Sequence, residues 1–443
     1  MKKTILLVCI ILLTSISSQA QEAKDSIKPS LRLDSELSYK MLEPNQDLRK
    51  VKILISEKKK GALKRKSFTI GAQLIALADY QNSNTDSKFG YLMRHPTANN
   101  QIGKEVTEAV IHSFQFNTII NVNDWLTGYA EILYDPQQSF GAGTITTLSR
   151  NQLQLRKGYV LIGDLNKSPF YGAIGKMDTP FGFTGSVNPF TNSTLWHAFG
   201  GLAYGAQVSY LKDGFHATFM AVQGGSQFRA LTTAVNGSNV PSQLNNFVAD
   251  INYTFGISEK TDLFLGASYM HGSAYCHEFP VTHFSGCQKN NAAYTAYGKL
   301  TVGDSFILKG GYAKTFDEWP GTFNPTPPLN VFRASKVSSI EVGTKYTFPK
   351  TGTFQYALSG EFSNFIAGPN GAPWERQEQF ILGFSAMTNK STKLFVELFR
   401  TSGYVPLNWI SGSNAFDPFP PGTTHSDADA ESHGIVVGFQ VTL

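Results

Sequence analysis

Period-two alternation of apolar with small or polar residues constrains this chain more than any other feature. At the start of the pattern Phe68, Ile70, Ala72, Leu74 and Ala76 alternate with Thr69, Gly71, Gln73 and Ile75. At its end Ile435, Val437, Phe439, Val441 and Leu443 alternate with Val436, Gly438, Gln440 and Thr442. A strand with that parity turns one face to an apolar phase and the other to a polar one. No later stretch resembles a transmembrane helix. Two choices remain: a soluble β-protein, or a closed barrel, the non-helical structure that satisfies every backbone group in lipid.

The connections favour the barrel. Candidate strands are 67–80, 109–121, 125–134, 151–162, 170–177, 201–211, 215–223, 247–255, 263–270, 292–301, 306–314, 337–348, 354–363, 377–386, 393–401 and 433–443. That is about sixteen, an even count, with lengths near the roughly 9–11 residues that a tilted membrane strand needs. Short connections (122–124, 163–169, 212–214, 256–262, 302–305, 349–353 and 387–392) alternate with long ones (81–108, 135–150, 178–200, 224–246, 271–291, 315–336, 364–376 and 402–432). A soluble sandwich has no reason to alternate so, whereas an outer-membrane barrel has short periplasmic turns and long extracellular loops. The expected fold is therefore all-β, a transmembrane antiparallel β-barrel over 67–443. Aromatics make up 13% of the chain. Tyr129, Tyr134, Tyr204, Tyr210, Phe215, Tyr253, Phe255, Tyr269, Tyr312, Tyr346 and Phe348 fall near strand ends, where interfacial girdles sit.

What precedes the barrel is of two kinds. Lys2 and Lys3, the apolar run Ile5–Leu13, and Ser18 and Ala20 have the layout of a signal peptide over 1–20, with Cys9 discarded in it. Residues 21–66 are polar, and 49–66 hold nine basic side chains against Glu57. Leu48, Val51 and Ile55 would share one face of a short helix. The segment reads as a solvated, partly ordered periplasmic tail, or as a contact with peptidoglycan or anionic head groups. The net charge of +5 belongs to this tail, because residues 67–443 hold 23 Lys and Arg against 26 Asp and Glu. Nucleic acid is not an expected partner. With so short a segment before Phe68, plugged, energy-coupled uptake is not expected either.

A barrel of about sixteen strands has room for an aqueous channel. Strand parity turns Asp79, Glu131, Arg156, Asp250, Lys299, Lys309, Glu341, Lys345, Glu361 and Glu397 inward. Basic residues from earlier strands would oppose acidic ones from later strands and orient a charged solute, or all of them would merely solvate the lumen. Lys176 is added to the selectivity set, although its segment alternates poorly. The connection 178–200 carries Asp178, Pro180, Phe181, Phe183 and Phe190, a stiff aromatic sequence suited either to a constriction folded into the lumen or to an ordinary surface loop. Cys276 and Cys287 fall in one outer loop in an oxidising compartment and are expected to form a disulfide. His277 and His283 lie between them, but the spacing matches no common zinc pattern. None of the nine histidines sits in a recognisable Ser or Asp setting, and His112 and His216 are isolated strand residues, so no enzyme, cofactor or metal is expected.

Three segments, LRKGYVLIGDL at 155–165, YGAIGKMDTPFG at 171–182, and YGAQVSY at 204–210 followed by Asp213-Gly214-Phe215, resemble the LbtU-type siderophore porin family known from Legionella and Francisella. The resemblance covers most of the mature chain in layout and is strongest over 153–225. It implies TonB-independent uptake of a ferric siderophore through an unplugged barrel. Phosphate- and carbohydrate-selective porins carry similar segments, so a general or phosphate/carbohydrate-selective porin is the alternative, with a non-transport surface protein as a third class. The expected partners are a small-molecule solute, the lipid bilayer and lipopolysaccharide, and the barrel-assembly machinery, in a Gram-negative outer membrane.

Overall fold

The computed structural model describes residues 29–86, 88–91, 103–134, 153–223, 244, 246–276, 290–405 and 426–443. The expected signal peptide 1–20, Cys9, Cys287, His277, His283 and much of the long connections lie outside the described residues. A short strand β1 (Ser30–Leu33) precedes two helices, α1 (Ser35–Leu42) and α2 (Lys50–Lys59). The barrel strands follow: β2 (Ser67–Ser83), β3 (Glu105–Asn121), β4 (Leu126–Tyr134), β5 (Gln154–Gly163), β6 (Phe170–Asp178), β7 (Leu202–Lys212), β8 (Phe215–Val222) and β9 (Asn246–Ser258). They continue as β10 (Thr261–Met270), β11 (Ala293–Val302), β12 (Phe306–Thr315), β13 (Ser338–Thr347), β14 (Phe354–Ile366), β15 (Arg376–Thr388), β16 (Thr392–Tyr404) and β17 (Asp427–Thr442). A third helix, α3 (Thr194–Phe199), lies between β6 and β7.

Each barrel strand pairs antiparallel with its neighbours in sequence, and β17 pairs with β2 to close a sixteen-strand barrel, as the alternation predicts. The closing register runs from Ser432 opposite Ser83 to Thr442 opposite Gln73. The first residues of β2 therefore extend beyond β17. There β1 runs parallel to β2, Ser30 opposite Ser67 and Leu33 opposite Ile70, and supplies the missing partner. Leu31 and Leu33 are exposed on this added edge.

Parity sorts the side chains. On β17 Ile435, Val437, Phe439 and Val441 face outward and are exposed, while Val436, Gln440 and Thr442 face inward and are buried. The same holds on β15, where Phe380, Leu382 and Phe384 face out and Gln377, Gln379 and Ile381 face in. An exposed apolar belt around a polar interior is an arrangement that only lipid stabilises. Tyr204, Tyr253, Phe255, Tyr346 and Phe348 are exposed near strand ends as a girdle requires. Tyr129 is not: it is buried and donates to Glu131 at 2.9 Å.

Tight turns define one end of the barrel, called here the turn end. Between β7 and β8, Asp213 (φ 48°) and Gly214 (φ 82°) both adopt left-handed conformations, the two-residue hairpin that matches strand twist. The opposite end, where 178–200 begins, is the loop end.

Replacing Leu382, at the middle of the outer face of β15, by Arg should cost about 2–4 kcal/mol, the penalty for a charge at the bilayer midplane. Denaturant unfolding in liposomes measures it; a loss under about 0.5 kcal/mol would mean this face does not meet lipid.

Candidate functional site: the occupied lumen

The segment expected to be a solvated tail packs inside the barrel. Asp34 caps α1 by accepting from the Leu37 amide at 3.0 Å. Leu37, Met41, Leu42, Val51, Ile53, Leu54 and Ile55 are all buried, and Ile53, Leu54 and Ile55 belong to one apolar cluster with Ile119, Tyr129, Tyr159 and Leu161 of the wall. Gly71 of β2 lets α1 approach, since a Cβ there would collide with Ser38. The charges on 49–66 concealed these apolar positions. Leu48, expected to share a helix face with Val51 and Ile55, lies before the start of α2 and is exposed, whereas Val51 and Ile55 are buried. The expectation of an unplugged lumen is corrected accordingly.

Charge fixes the segment in register with the wall. Lys393 donates to both carboxylate oxygens of Glu43 at 3.0 Å, and Gln440 Nε2 donates to Oε2 at 3.1 Å. Asp47 accepts from Lys299 at 3.1 Å and from Lys309 at 2.8 Å. Arg49 lies 3.5 Å from Asp250 and donates to the Thr179 and Gly182 carbonyls. Lys50 meets Glu131 at 2.6 Å, and Arg156 approaches the same carboxylate at 3.5 Å. Burial pulls Lys50 down to about 7 although Glu131 opposes it, and burial holds Lys52 and Lys58 down to about 8.

From the loop end, 178–200 folds into the same space. Pro180, Phe181, Phe183 and Phe190 are buried. Phe190 stacks on Phe395 at 5.1 Å, and Phe183 lies under the Lys309 ammonium at 4.6 Å. Asp178 pairs with Lys157 at 2.7 Å. Three wall glutamates hold the loop. Glu397 accepts from the Phe190 and Thr191 amides at 2.8 and 3.0 Å and from the Tyr91 hydroxyl at 2.8 Å. Glu361 accepts from Ser186 Oγ at 2.6 Å and Asn188 Nδ2 at 3.1 Å. Glu341 accepts from Ser193 Oγ, the N-cap of α3. Gly343 and Gly383 leave room for Val187 and Pro189. The two inserts meet at the barrel centre, where Asn45 Nδ2 donates to the Asn188 carbonyl at 2.8 Å and Thr184 Oγ1 to the Gln46 carbonyl at 2.6 Å.

The expected opposition of basic and acidic walls is replaced by layers. On β13 Lys345 lies four residues nearer the turn end than Glu341, and on β16 Lys393 lies four nearer than Glu397, about 13 Å along a strand. The lysine layer holds the N-terminal segment; the glutamate layer holds the loop. Of the residues assigned to the lumen, Arg156, Lys299, Lys309, Lys345, Asp250, Glu341, Glu361 and Glu397 do face it. Lys176 does not. It follows the outward parity of Ile174, donates to the Leu155 carbonyl at 2.9 Å and lies over the exposed Tyr204 ring at 5.6 Å. Lys157 was missed because a bulge shifts the register beside Glu131, and both Arg156 and Lys157 are buried there. Lys393 and Gln440 were missed as site residues, although their parity marks both as inward. Cys276 is disulfide-bonded, with Cys287 outside the described residues.

Burial alone would raise the carboxyls of Glu43 and Asp47, but Lys393 at the first and Lys309 with Lys299 at the second outweigh it, so both sit below their ordinary values of 4.5 and 3.8. A depressed carboxylate stabilises the docked segment fully above the ordinary value, and that contribution is lost as pH falls through the lowered one. Acidification below pH 4 should therefore expose α1 and α2 to an acid-active protease before the barrel unfolds. A cleavage rate that, divided by the rate on a denatured substrate at the same pH, stays flat from about pH 5 to about pH 3 would count against an electrostatic latch. For the loop, Glu397→Gln leaves backbone donors short of an acceptor at a cost of about 1–3 kcal/mol, and cleavage within 178–200 should accelerate; an unchanged rate would mean the glutamate does not hold it.

No protein-family model matches the chain. A UPF0422 protein of Coxiella burnetii is 24% identical over 249 residues, 53% of this chain and 50% of the relative, so the chain spans about half the length of the curated relative it matches. Among solved structures, OprB of Pseudomonas putida is 10% identical with a TM-score of 0.50 over 84% of this chain and 94% of that one. The outer membrane channel DcaP of Acinetobacter baumannii is 13% identical with a TM-score of 0.49 over 86% of this chain and 99% of that one. An anion-selective porin from Comamonas acidovorans is 13% identical with a TM-score of 0.47 over 85% and 99%. The likeness to OprB bears on the fold alone. With the closed barrel and its apolar belt, it makes this chain an integral outer-membrane protein with a porin-like channel fold.

Proposed function

We propose that the protein is a gated, substrate-selective outer-membrane channel, and that its solute is a ferric siderophore of the carboxylate type taken up without energy coupling. The observation that carries this reading is the set of lumen lysines, Lys299, Lys309 and Lys393, each already bonded to a carboxylate of the N-terminal segment. An interior that holds carboxylates this way suits an anionic solute, and the segment resemblance points to a siderophore. Among the described residues, the side-chain carbonyl oxygens of Gln73, Gln115 and Asn117 on β2 and β3 have no hydrogen-bond partner, a surface suited to water. In this reading the turn end faces the periplasm, α1 and α2 form a small internal gate, and 178–200 is the constriction. Arg156, Asp250, Glu341, Glu361 and Glu397 act indirectly, by fixing the two inserts. The lysines would equally attract phosphate, so a phosphate-selective porin is the second reading.

Planar-bilayer recording separates the two. The full-length protein should show a mostly closed baseline with discrete openings, and ferric citrate, as a small ferric carboxylate, should block open-state current where phosphate at equal ionic strength does not. Block by phosphate alone favours the second reading. No conductance under any condition would remove both. A deletion strain with unchanged uptake of siderophore-bound iron would sink the iron assignment and leave the channel standing.

A further inference from the structure

The connection between α1 and α2 reads Glu43-Pro44-Asn45-Gln46-Asp47-Leu48-Arg49, and its two acidic residues are both seated on wall lysines. Lys393 grips Glu43 through both oxygens at 3.0 Å, while Lys309 and Lys299 take one oxygen each of Asp47, at 2.8 and 3.1 Å. Lys345 completes the group from β13; the charges acting on it are Lys393, Glu43 and Asp47. Three ammonium groups thus share two carboxylates of the segment, Lys345 makes no ion pair among the described residues, and the wall's own Glu341 lies 4.0 Å from Lys309. Aromatic faces flank them, Phe183 at 4.6 Å from Lys309 and Tyr39 and Phe395 at 5.9 Å from Lys393. Loop carbonyls of Gly185 and Pro189 accept from Lys309 and Lys393 and orient them. These are the parts of an anion site: preset cations, a neutral acceptor framework and an amide donor in Gln440.

We infer that this lysine cluster is a binding site for a polycarboxylate anion, and that Glu43 and Asp47 are its built-in surrogate, so that the solute opens the channel by taking the lysines from the segment. The inference rests on the channel reading and deepens it. Three residues lie between Glu43 and Asp47, whose Cα atoms are at most about 14 Å apart, so a solute whose carboxylates are spread over the span of the two side chains can engage both lysine groups. A monocarboxylate can replace only one contact and leaves the other latched. Because the surrogate belongs to the same chain, it competes at an effective concentration on the order of millimolar. Only a multivalent anion overcomes that efficiently. Removing Glu43 and Asp47 would leave Lys309 and Lys393 buried against fewer anions, which favours an external one.

Citrate and acetate serve as probes at matched ionic strength, with full-length protein in detergent micelles. The first measurement is tryptic cleavage within 34–60; citrate should accelerate it roughly tenfold over acetate. The second is calorimetric binding of citrate. In Glu43→Gln/Asp47→Asn, cleavage should be fast without any anion and citrate should bind roughly tenfold more tightly, since the competitor is gone. In Lys309→Gln/Lys393→Gln both responses should vanish. If heat-modifiable gel migration shows that this pair fails to fold, Lys345→Gln, whose ammonium has no ion-pair partner among the described residues, takes its place and should weaken citrate binding severalfold. Equal effects of citrate and acetate on the wild type, or citrate binding no tighter in Glu43→Gln/Asp47→Asn, would falsify the surrogate. None of these readouts requires transport, so a channel that never conducts overturns the proposed function while leaving the anion site to stand or fall separately.

Discussion

Closure of the barrel in lipid is the constraint from which the rest of this structure follows. A bilayer supplies no hydrogen-bonding partner, so every strand must be paired on both sides and every outward side chain must be apolar. Polar groups are thereby driven to the inside. Charges gathered in a confined lumen need partners of their own, because an unpaired buried charge is expensive. The chain meets this need with two inserts. One comes from the turn end and is anchored mainly on wall lysines, with Arg49 and Lys50 set on wall carboxylates; the other comes from the loop end and is held by glutamates. Glycines at Gly71, Gly343 and Gly383 open the wall to them.

Where period two holds, the sequence is a sufficient guide to this architecture. Sixteen strands, their order and the inward direction of Lys309 or Glu397 follow from alternation, since one residue of slip would put charge into lipid. Reading fails where the period breaks. The bulge beside Glu131 brings Lys157 inward next to Arg156, and no single-strand parity can indicate two consecutive inward residues. Lys176 follows Gly175, whose backbone at φ 140° no side chain readily adopts, and the alternation there is obscured by small residues. The N-terminal segment was opaque for a different reason. Leu37, Met41 and Leu42 of α1 keep helical spacing, but Val51, Ile53, Leu54 and Ile55 of α2 run nearly together among charges, and the nine basic residues of 49–66 made the segment look solvated. The acceptors that neutralise them are scattered along the chain, Glu131 and Asp250 among them, and only closure gathers them.

Layering has an electrostatic meaning that opposed walls would not have. A transverse field turns a passing dipole; a field along the axis sorts by sign and depth. Here the lysine layer lies nearer the turn end and the glutamate layer nearer the loop end, and each is engaged in a contact that holds an insert. The same side chains therefore set both the resting geometry and the potential that appears when an insert leaves, and neither property can be changed without the other. This is a buried-polar network of the costly kind, in which a half-satisfied state is worse than either a filled or a fully hydrated one.

The short strand β1 has a consequence for motion. It is hydrogen-bonded beside the first residues of β2, so Ser30 and Ser67 are neighbours in register although the whole helical insert lies between them. Both ends of the insert are thus stitched to the same strand edge, and the entropy of bringing them together is already spent. Any excursion of the insert is the opening of a closed ring of chain, not the release of a free end. Return is then a unimolecular event whose rate does not depend on protein concentration. The refractory interval between successive openings would be set by the stiffness of the ring.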